Sequence, residues 1–442
     1  MTIRMDEGAA ELLDTLHRAG YAAYVVGGCV RDSLLGLTPH DWDLCTSALP
    51  QQGMELFGEE KCIPTGLQHG TVTVKQGGGL YEITTFRTEG AYTDGRHPDE
   101  VHFVPDVRED LARRDFTINA MAYNAKEGLI DPFGGQADLQ SGILRAVGVP
   151  HQRFTEDALR ILRLYRFAAR FGFAIDPPTA QAAQELCAHL DCVSVERIEE
   201  ELAKLLSAPA PAAYLNEKIL SVVLPELSPE ALAAAKPVVD ACPAGERALP
   251  VRLAALLLSL GEDGTRRTLR RLRCSNACVE ETAVLVREIV SGVPGAFSSD
   301  TNRAIPSPAL LPAATGSHPS GRSSEKLPAR PPVSLNIYTR KLLGQYGLKT
   351  VQRLAALGTA LQPEHAADFA ALSELAEQLD ADGVCCRVSQ LAVNGRDLMA
   401  AGVPAGPGIR KVLEALLDGV IREEYPNERQ ALLAAVQQLA AS

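Results

Sequence analysis

No run of about 18 apolar residues, the length a membrane-crossing helix needs, occurs in this sequence of 442 residues. Nor does its start read as a targeting signal: MTIRMDEGAAELL is an acidic amphipathic helix, not a basic segment followed by an apolar one. The chain is therefore expected to be soluble and cytoplasmic, with no membrane partner. Its ten cysteines include no C-x-x-C pair, and Cys385 and Cys386 are adjacent. This argues against both a disulfide framework and a zinc ribbon. Cys187, His189 and Cys192 fall close together, but crowding at a helix end accounts for them without a metal. A surplus of positive charge is missing as well. A formal net charge of -12 and a pI near 5.3 argue against indiscriminate nucleic-acid binding, and any RNA contact must be local.

What is present is a 46% hydrophobic chain long enough for several domains with real cores. Its organising stretch is YVVGGCVRDSLLGLTPHDWDLCT, from Tyr24 to Thr46. A short apolar β-run meets Gly27-Gly28 and then a segment, Cys29 to Leu35, that reads as a helix ended by Gly36. A Gly-rich turn at a helix start combines unpaired N–H donors with the positive end of the helix dipole, and Arg31 adds a fork of donors. A triphosphate fits such a site. Asp41-Trp42-Asp43 follows in a β-like segment, where residues two apart share a face, so two carboxylates converge. Paired carboxylates stay ionised when a cation neutralises them, and oxygen-only ligands suit Mg²⁺. A phosphate cradle followed by a divalent-metal pair is the layout of nucleotidyl transfer. Either element alone is common in ordinary turns and loops; their order and spacing carry the signal.

Gly27-Gly28-x-x-Arg31-Asp32-x-Leu34-Leu35-Gly36 and Asp41-x-Asp43-x-x-Thr46 resemble the signature of class II tRNA nucleotidyltransferases, which include CCA-adding enzymes and bacterial poly(A) polymerases. The resemblance implies an α+β chain: a mixed α/β nucleotidyltransferase head of the polymerase-β-like kind, then an all-helical neck, body and tail. Expected bounds are 1–145 for the head and its metal site, 146–210 for the neck, 211–360 for the body and 361–442 for a tRNA-binding tail. The implied activity is addition of CCA to the tRNA 3′ end from CTP and ATP, without a nucleic-acid template, with Mg²⁺ on Asp41 and Asp43. A homodimer is left open.

The rest of the chain extends this reading. Gly70–Val74 and Tyr81–Phe86 alternate with period two across a Gly-rich turn and read as a β-hairpin. If Tyr81 and Ile83 face the core, Glu82 faces the other way. By the resemblance it is the third catalytic carboxylate; otherwise it is an exposed strand residue. Residues 87–101 are polar and rich in Gly, Pro and Asp, which predicts a mobile loop beside the site. Glu89, Tyr92, Asp94, Arg96 and Pro98 look like the flexible loop of full CCA-adding enzymes. RRDFTINAMAY, from Arg113, matches the family's second motif, in which Arg114 would contact the nucleotide and Asp115 would help select ribose.

From Phe154 to Phe171 the pattern reads as one helix, with Arg160, Arg163, Arg166 and Arg170 on about a third of its circumference and Asp157 one turn before Arg160. A solvated charged face gives the same pattern. Cytosine and adenine both offer an amine donor beside a ring-nitrogen acceptor; uracil and guanine offer the reverse. A carboxylate and a guanidinium therefore accept C and A, and leave U and G with buried unpaired groups at about 1–3 kcal/mol each. The family's ED-x-x-R motif is understood as this protein template, matched by Asp157 and Arg160, with Arg163 and Arg166 as further nucleotide contacts. Ser194 to Leu206 resembles the family's last conserved helix, a brace for the neck.

Arg266, Arg267, Arg270, Arg271 and Arg273 form the densest basic run, either a tRNA backbone contact or a solvated helix face. Ser291 to Ser334 lacks the apolar periodicity to bury anything and reads as a disordered insertion. The region from Leu391 to Ile409 resembles the tail of the Bacillus-like branch, and no HD-phosphohydrolase pattern appears. The alternatives are a poly(A) polymerase, a CC-only or A-only enzyme, and an inactive RNA-binding relative.

Overall fold

In a computed structural model, which describes residues 3–90, 101–291 and 335–441, the chain divides into two compact units, Met1–Pro225 and Glu226–Ser442. The segments expected as head and neck lie together in the first. The expected insertion at 291–334 falls, but for Ser291, outside the described residues.

The first unit starts with α1 (Glu7–Arg18), whose N-terminal amides are capped by Asp6. Then come β1 (Ala23–Val26), α2 (Gly28–Leu34), β2 (Leu44–Thr46), α3 (Pro50–Phe57) and β3 (Cys62–Gly66). The expected hairpin is β4 (Thr71–Gln76) with β5 (Gly79–Thr85). A short ribbon, β6 (Arg87–Glu89) with β7 (Val101–Phe103), precedes α4 (Val107–Ala112), β8 (Ala122–Asn124), β9 (Gly128–Ile130) and α5 (Gly135–Ser141). Seven strands form one sheet in the order β3-β4-β5-β2-β1-β8-β9. Only β2 and β5 run parallel; the other neighbours are antiparallel. Tyr24, Val26, Cys45, Phe86, Leu111 and Ala122 pack into a core at the sheet's centre. That core fixes the strand ends from which the polar residues project.

Two expectations change here. Residues 87–101 are not wholly loop: Arg87, Thr88 and Glu89 pair with Phe103, His102 and Val101, and Arg87 N–H is anchored on the buried Asp110. Residues 91–100, which hold Tyr92, Asp94, Arg96 and Pro98, lie outside the described residues. The helix expected over 154–171 is two helices, broken at Asp157. After β10 (Ile143–Leu144), α6 covers Pro150–Glu156 and α7 covers Leu159–Phe171, while Asp157 is extended at φ -143° and ψ 104°. Its carboxylate accepts from Leu159 N–H at 3.1 Å, a capping bond that competes with continuous helix. Then follow β11 (Ala174–Ile175), which pairs with β10, α8 (Pro177–Glu185), α9 (Val195–Leu206) and α10 (Glu217–Val223).

The second unit is helical among the described residues: α11 (Pro229–Ala241), α12 (Leu249–Leu257), α13 (Gly261–Arg271), α14 (Asn276–Val290), α15 (Leu335–Tyr346), α16 (Leu348–Leu361) and α17 (Ala366–Ala381). Its end, α18 (Gly395–Ala400), α19 (Pro407–Ile421) and α20 (Arg429–Ala441), gathers its own core around Leu398, Leu416 and Leu432. No helix among the described residues is long and apolar enough to cross a membrane.

Candidate active site

The polar ends of β1, β2 and β5 open on a cleft of about 790 Å³. Gly27 ends β1 at φ 76°, and its own N–H is held by Met121 O, so the chain turns sharply into α2. A Cβ on Gly27 would come within 2.8 Å of Arg114 Nη1. Glycine here lets a guanidinium lie on the turn. Asp41, Trp42 and Asp43 are not themselves strand, but they keep its alternation: Trp42 is buried and both aspartates are exposed. Asp43 O accepts from Val26 N–H, which aligns it with the end of β1.

Because Leu44 is registered with Ile83, the residue before Leu44 lies next to Glu82. Glu82 is exposed between the buried Tyr81 and Ile83, as the alternation requires. Although Asp43 reaches the cleft surface, the surrounding walls deprive it of water; that desolvation first, then the charges of Glu82 and Asp41, raise its pKa, while Arg114 pulls against them. The floor of the cleft thus gathers like charges. Asp43 and Glu82 line it; Asp41 stands outside the lining.

Above the floor the lining is dominated by arginine: Arg31, Arg87, Arg113, Arg114, Arg160, Arg163, Arg166, Arg170 and Arg197, against the acids Asp43, Glu82, Asp115 and Asp157. On a chain of net charge -12 this is a local reversal of sign. Clefts that concentrate one sign attract ligands of the other, here a polyanion.

These side chains are set by partners remote in sequence. Arg31 is buried; its Nε donates to Asp32 at 2.8 Å, its Nη1 to Asn119 Oδ1 at 2.5 Å, and its plane lies over Phe167 and Phe171. The fork expected to meet a phosphate is thus engaged by protein. Arg114 Nη2 reaches Asp110 at 3.4 Å, whereas its buried Nε has no partner among the described residues. Asp115 accepts from Arg163 Nε and Nη2 at 2.9 and 2.7 Å, from Asn119 and from Phe116 N–H. Burial works to raise its pKa, but Arg163 and Asn119 prevail and hold it at about 2.

Asp157 and Arg160 do not pair with each other. Asp157 is held by Arg197 of α9, at 2.8 and 3.3 Å, and Arg160 by Glu156 at 2.8 Å and by the Arg113 and Arg153 carbonyls. Arg166 is buried against Glu201, which also lies 3.7 Å from Arg163. Arg170 lies 3.6 Å from Asp32. Sequence reading placed Arg197 and Glu201 only in a bracing helix and overlooked Asn119. An i,i+4 Arg–Glu spacing normally signals a surface pair, and nothing local marks these two as turned inward.

The donor set suits a hard cation, since the floor offers carboxylate oxygens only and no protein donor is bonded to those of Asp41, Asp43 or Glu82 among the described residues. Among the described residues, no three His, Cys, Asp or Glu side chains close into a preassembled metal site. That fits Mg²⁺, which is commonly held by one or two carboxylates and completed by substrate phosphates and water.

Comparison with known proteins agrees with this layout. The poly A polymerase head domain matches residues 23–145, an RNA- and SrmB-binding segment of polymerase A matches 172–230, and tRNA nucleotidyltransferase domain 2 matches 336–436. A CCA-adding enzyme of Lactiplantibacillus plantarum is 36% identical, covering 97% of this chain and 95% of that protein. Another, of Geobacillus thermodenitrificans, is 34% identical over 96% and 95%. The crystal structure of the Bacillus stearothermophilus CCA-adding enzyme in complex with CTP is similar at a TM-score of 0.76 and 30% identity, covering 99% of this chain and 98% of that one. Similarity that runs through both units, and not through the head alone, means that the chain belongs to the CCA-adding enzyme family of tRNA nucleotidyltransferases.

Proposed function

We infer that this chain adds the 3′-terminal CCA to tRNA from CTP and ATP, releasing pyrophosphate and using protein groups in place of a nucleic-acid template. The observation that carries the reading is the placing of Gly27, Asp43 and Glu82 side by side on the sheet beneath an arginine-lined cleft, in a chain alike throughout to CCA-adding enzymes. Asp41 and Asp43 would hold Mg²⁺, with Glu82 beside them. When bound, the cation neutralises charge on the phosphate and favours ionisation of the attacking hydroxyl.

The remaining work belongs to the side chains. Gly27 leaves room for the Arg114 guanidinium to lie on the turn, where it offers positive charge to phosphate oxygens in the cleft. Arg31 acts by fixing Asn119 and the turn. Asp115, saturated by Arg163 and Asn119, keeps Arg163 aimed into the cleft. Bracing by Arg197 and Glu156 holds Asp157 and Arg160 in fixed orientations. A carboxylate has about four lone-pair sites, so Asp157 can keep Arg197 and still accept from a base amine. Holding the acceptor and donor rigidly is what lets them reject bases with the opposite pattern. The test is incubation of the purified protein with tRNA ending at the discriminator base, in CC and in CCA, with each labelled triphosphate alone and with CTP and ATP together. Addition of two C and one A supports the reading; runs of A, or arrest after CC with ATP present, overturn it.

A further inference from the structure

The floor of the cleft has a direction. Taken along the sheet in the order β1, β2, β5, β4, β3, its lining runs from Gly27 through Asp43 and Glu82 to Thr73, Thr71 and Gly66. Thr73 is registered directly with Glu82 and Thr71 with Thr84, while Val72 and Val74 turn to the core. With strands about 4.8 Å apart, β4 lies roughly 14 Å from β1, enough to seat two ligands on either side of the carboxylates. The two ends differ in chemistry. At the β1 end Arg114 lies on the turn, suited to phosphate. At the β4 end stand the hydroxyls of Thr73 and of Thr71, the latter also bonded to the Thr84 hydroxyl at 2.9 Å, and the half-buried imidazole of His69, 3.2 Å from the Gln68 amide.

A second observation falls beside that end, just outside the residues that line the cleft. Phe103 is 43% exposed, uncommon for an aromatic ring. It is held there by backbone: a Cβ on Gly70, at φ 78°, would come within 2.7 Å of the ring, and the ladder partner of Phe103 is Arg87, which lines the cleft. An exposed ring beside hydroxyls suits a nucleotide, the base stacking and the ribose hydrogen bonding.

In-line displacement requires the attacking hydroxyl to approach opposite the leaving pyrophosphate. With the triphosphate at the β1 end, the hydroxyl comes from the β4 side, across Asp43 and Glu82. We propose that Thr71, Thr73, His69 and Phe103 form the subsite for the single-stranded 3′ end of the acceptor RNA. The threonine hydroxyls meet its terminal ribose, and Phe103 stacks on a base near the end. This assignment rests on the nucleotidyl-transfer reading above.

The experiment is steady-state incorporation of one CMP into tRNA lacking CCA by the full-length protein, with KM for tRNA and KM for CTP measured separately for wild type, Phe103→Ala, Thr73→Val and Thr73→Ser. Loss of stacking should raise KM for tRNA at least about fivefold in Phe103→Ala, with KM for CTP within about twofold of wild type. A tRNA whose terminal residue lacks only its 2′-hydroxyl should cost the wild type and Thr73→Ser roughly threefold in KM, and cost Thr73→Val nothing further. A general folding defect does not produce that last pattern. If KM for CTP rises while KM for tRNA does not, or if no variant moves either, the subsite is wrong although transfer stands. If wild type itself incorporates nothing, transfer falls, and the subsite with it.

Discussion

The arginines of α7 and those of α13 stand at comparable spacings on two amphipathic helices, yet they face different surroundings. Those of α7 meet acids from four other elements: Glu156 on α6, Asp115 after α4, Glu201 on α9 and Asp32 on α2. Asp115 and Glu201 are 8% and 5% exposed. Those of α13 meet acids on their own helix or its hairpin neighbour: Arg266 with Glu262 and Glu280, and Arg270 with Glu280, which is largely exposed; Arg271 reaches Glu226. Positive charge on α7 is held in place and pooled around a cleft; on α13 it is dispersed in water. Density of arginine in a sequence therefore does not identify a ligand site. Convergence from several elements does.

The sharpest break in that comparison comes from the floor of the cleft. Asp43→Asn should lower single-turnover CMP incorporation by at least about a thousandfold, since an attacking hydroxyl and a phosphate without a counter-ion lose most of their stabilisation. tRNA binding in a filter assay should be kept. A variant within about tenfold of wild type would remove Asp43 from the reaction.

Next in size is the clamp. Glu201→Ala leaves the buried Arg166 without its carboxylate, and breaking one side of a buried pair costs about 3–5 kcal/mol. The apparent Tm of the first unfolding transition should fall by several degrees. Glu280→Ala on the exposed network should leave the melting curve unchanged. Equal shifts in the two variants would erase the distinction between the helices.

Acid sharpens the same contrast. Asp115 has its pKa held at about 2 in the folded chain, below the ordinary value near 3.8. A depressed carboxylate contributes stability that is fully present above its unfolded pKa and is lost as pH falls through the folded one. The stability gap between wild type and Asp115→Asn should therefore be constant above about pH 5 and narrow as pH falls from about 4 to about 2. A gap that does not vary with pH in that window would mean that Arg163 does not hold the charge. The smallest effect is expected on α13: Arg270→Ala should change kcat/KM for tRNA by less than about threefold, as exposed pairs contribute little.

Local patterns made the floor of the site legible. Period-two alternation in Tyr81-Glu82-Ile83 shows which way Glu82 points, and Gly27-Gly28 after an apolar run announces the turn. The break at Asp157 was not legible, because Glu156-Asp157-Ala158-Leu159 contains neither Gly nor Pro, and Asp157 is drawn out of the helix by Leu159 N–H and by Arg197, forty residues on. Arg31 is a similar case. Its motif position suggests a phosphate ligand, yet Asn119, 88 residues away, takes its Nη1. Pairings of this kind are set by sheet register and helix packing, which local composition does not encode.

The most direct test of the account is base choice, because it asks whether the braced pair in the cleft performs the selection. Incorporation of each of the four triphosphates on tRNA lacking CCA should be compared for wild type and Asp157→Ala. A lost charge-assisted base contact corresponds to about 1.5–3 kcal/mol, so the ratio of kcat/KM for CTP over UTP should fall by roughly tenfold or more. A uniform fall in rate with the ratio unchanged would mean that Asp157 only caps α7 and that bases are chosen elsewhere.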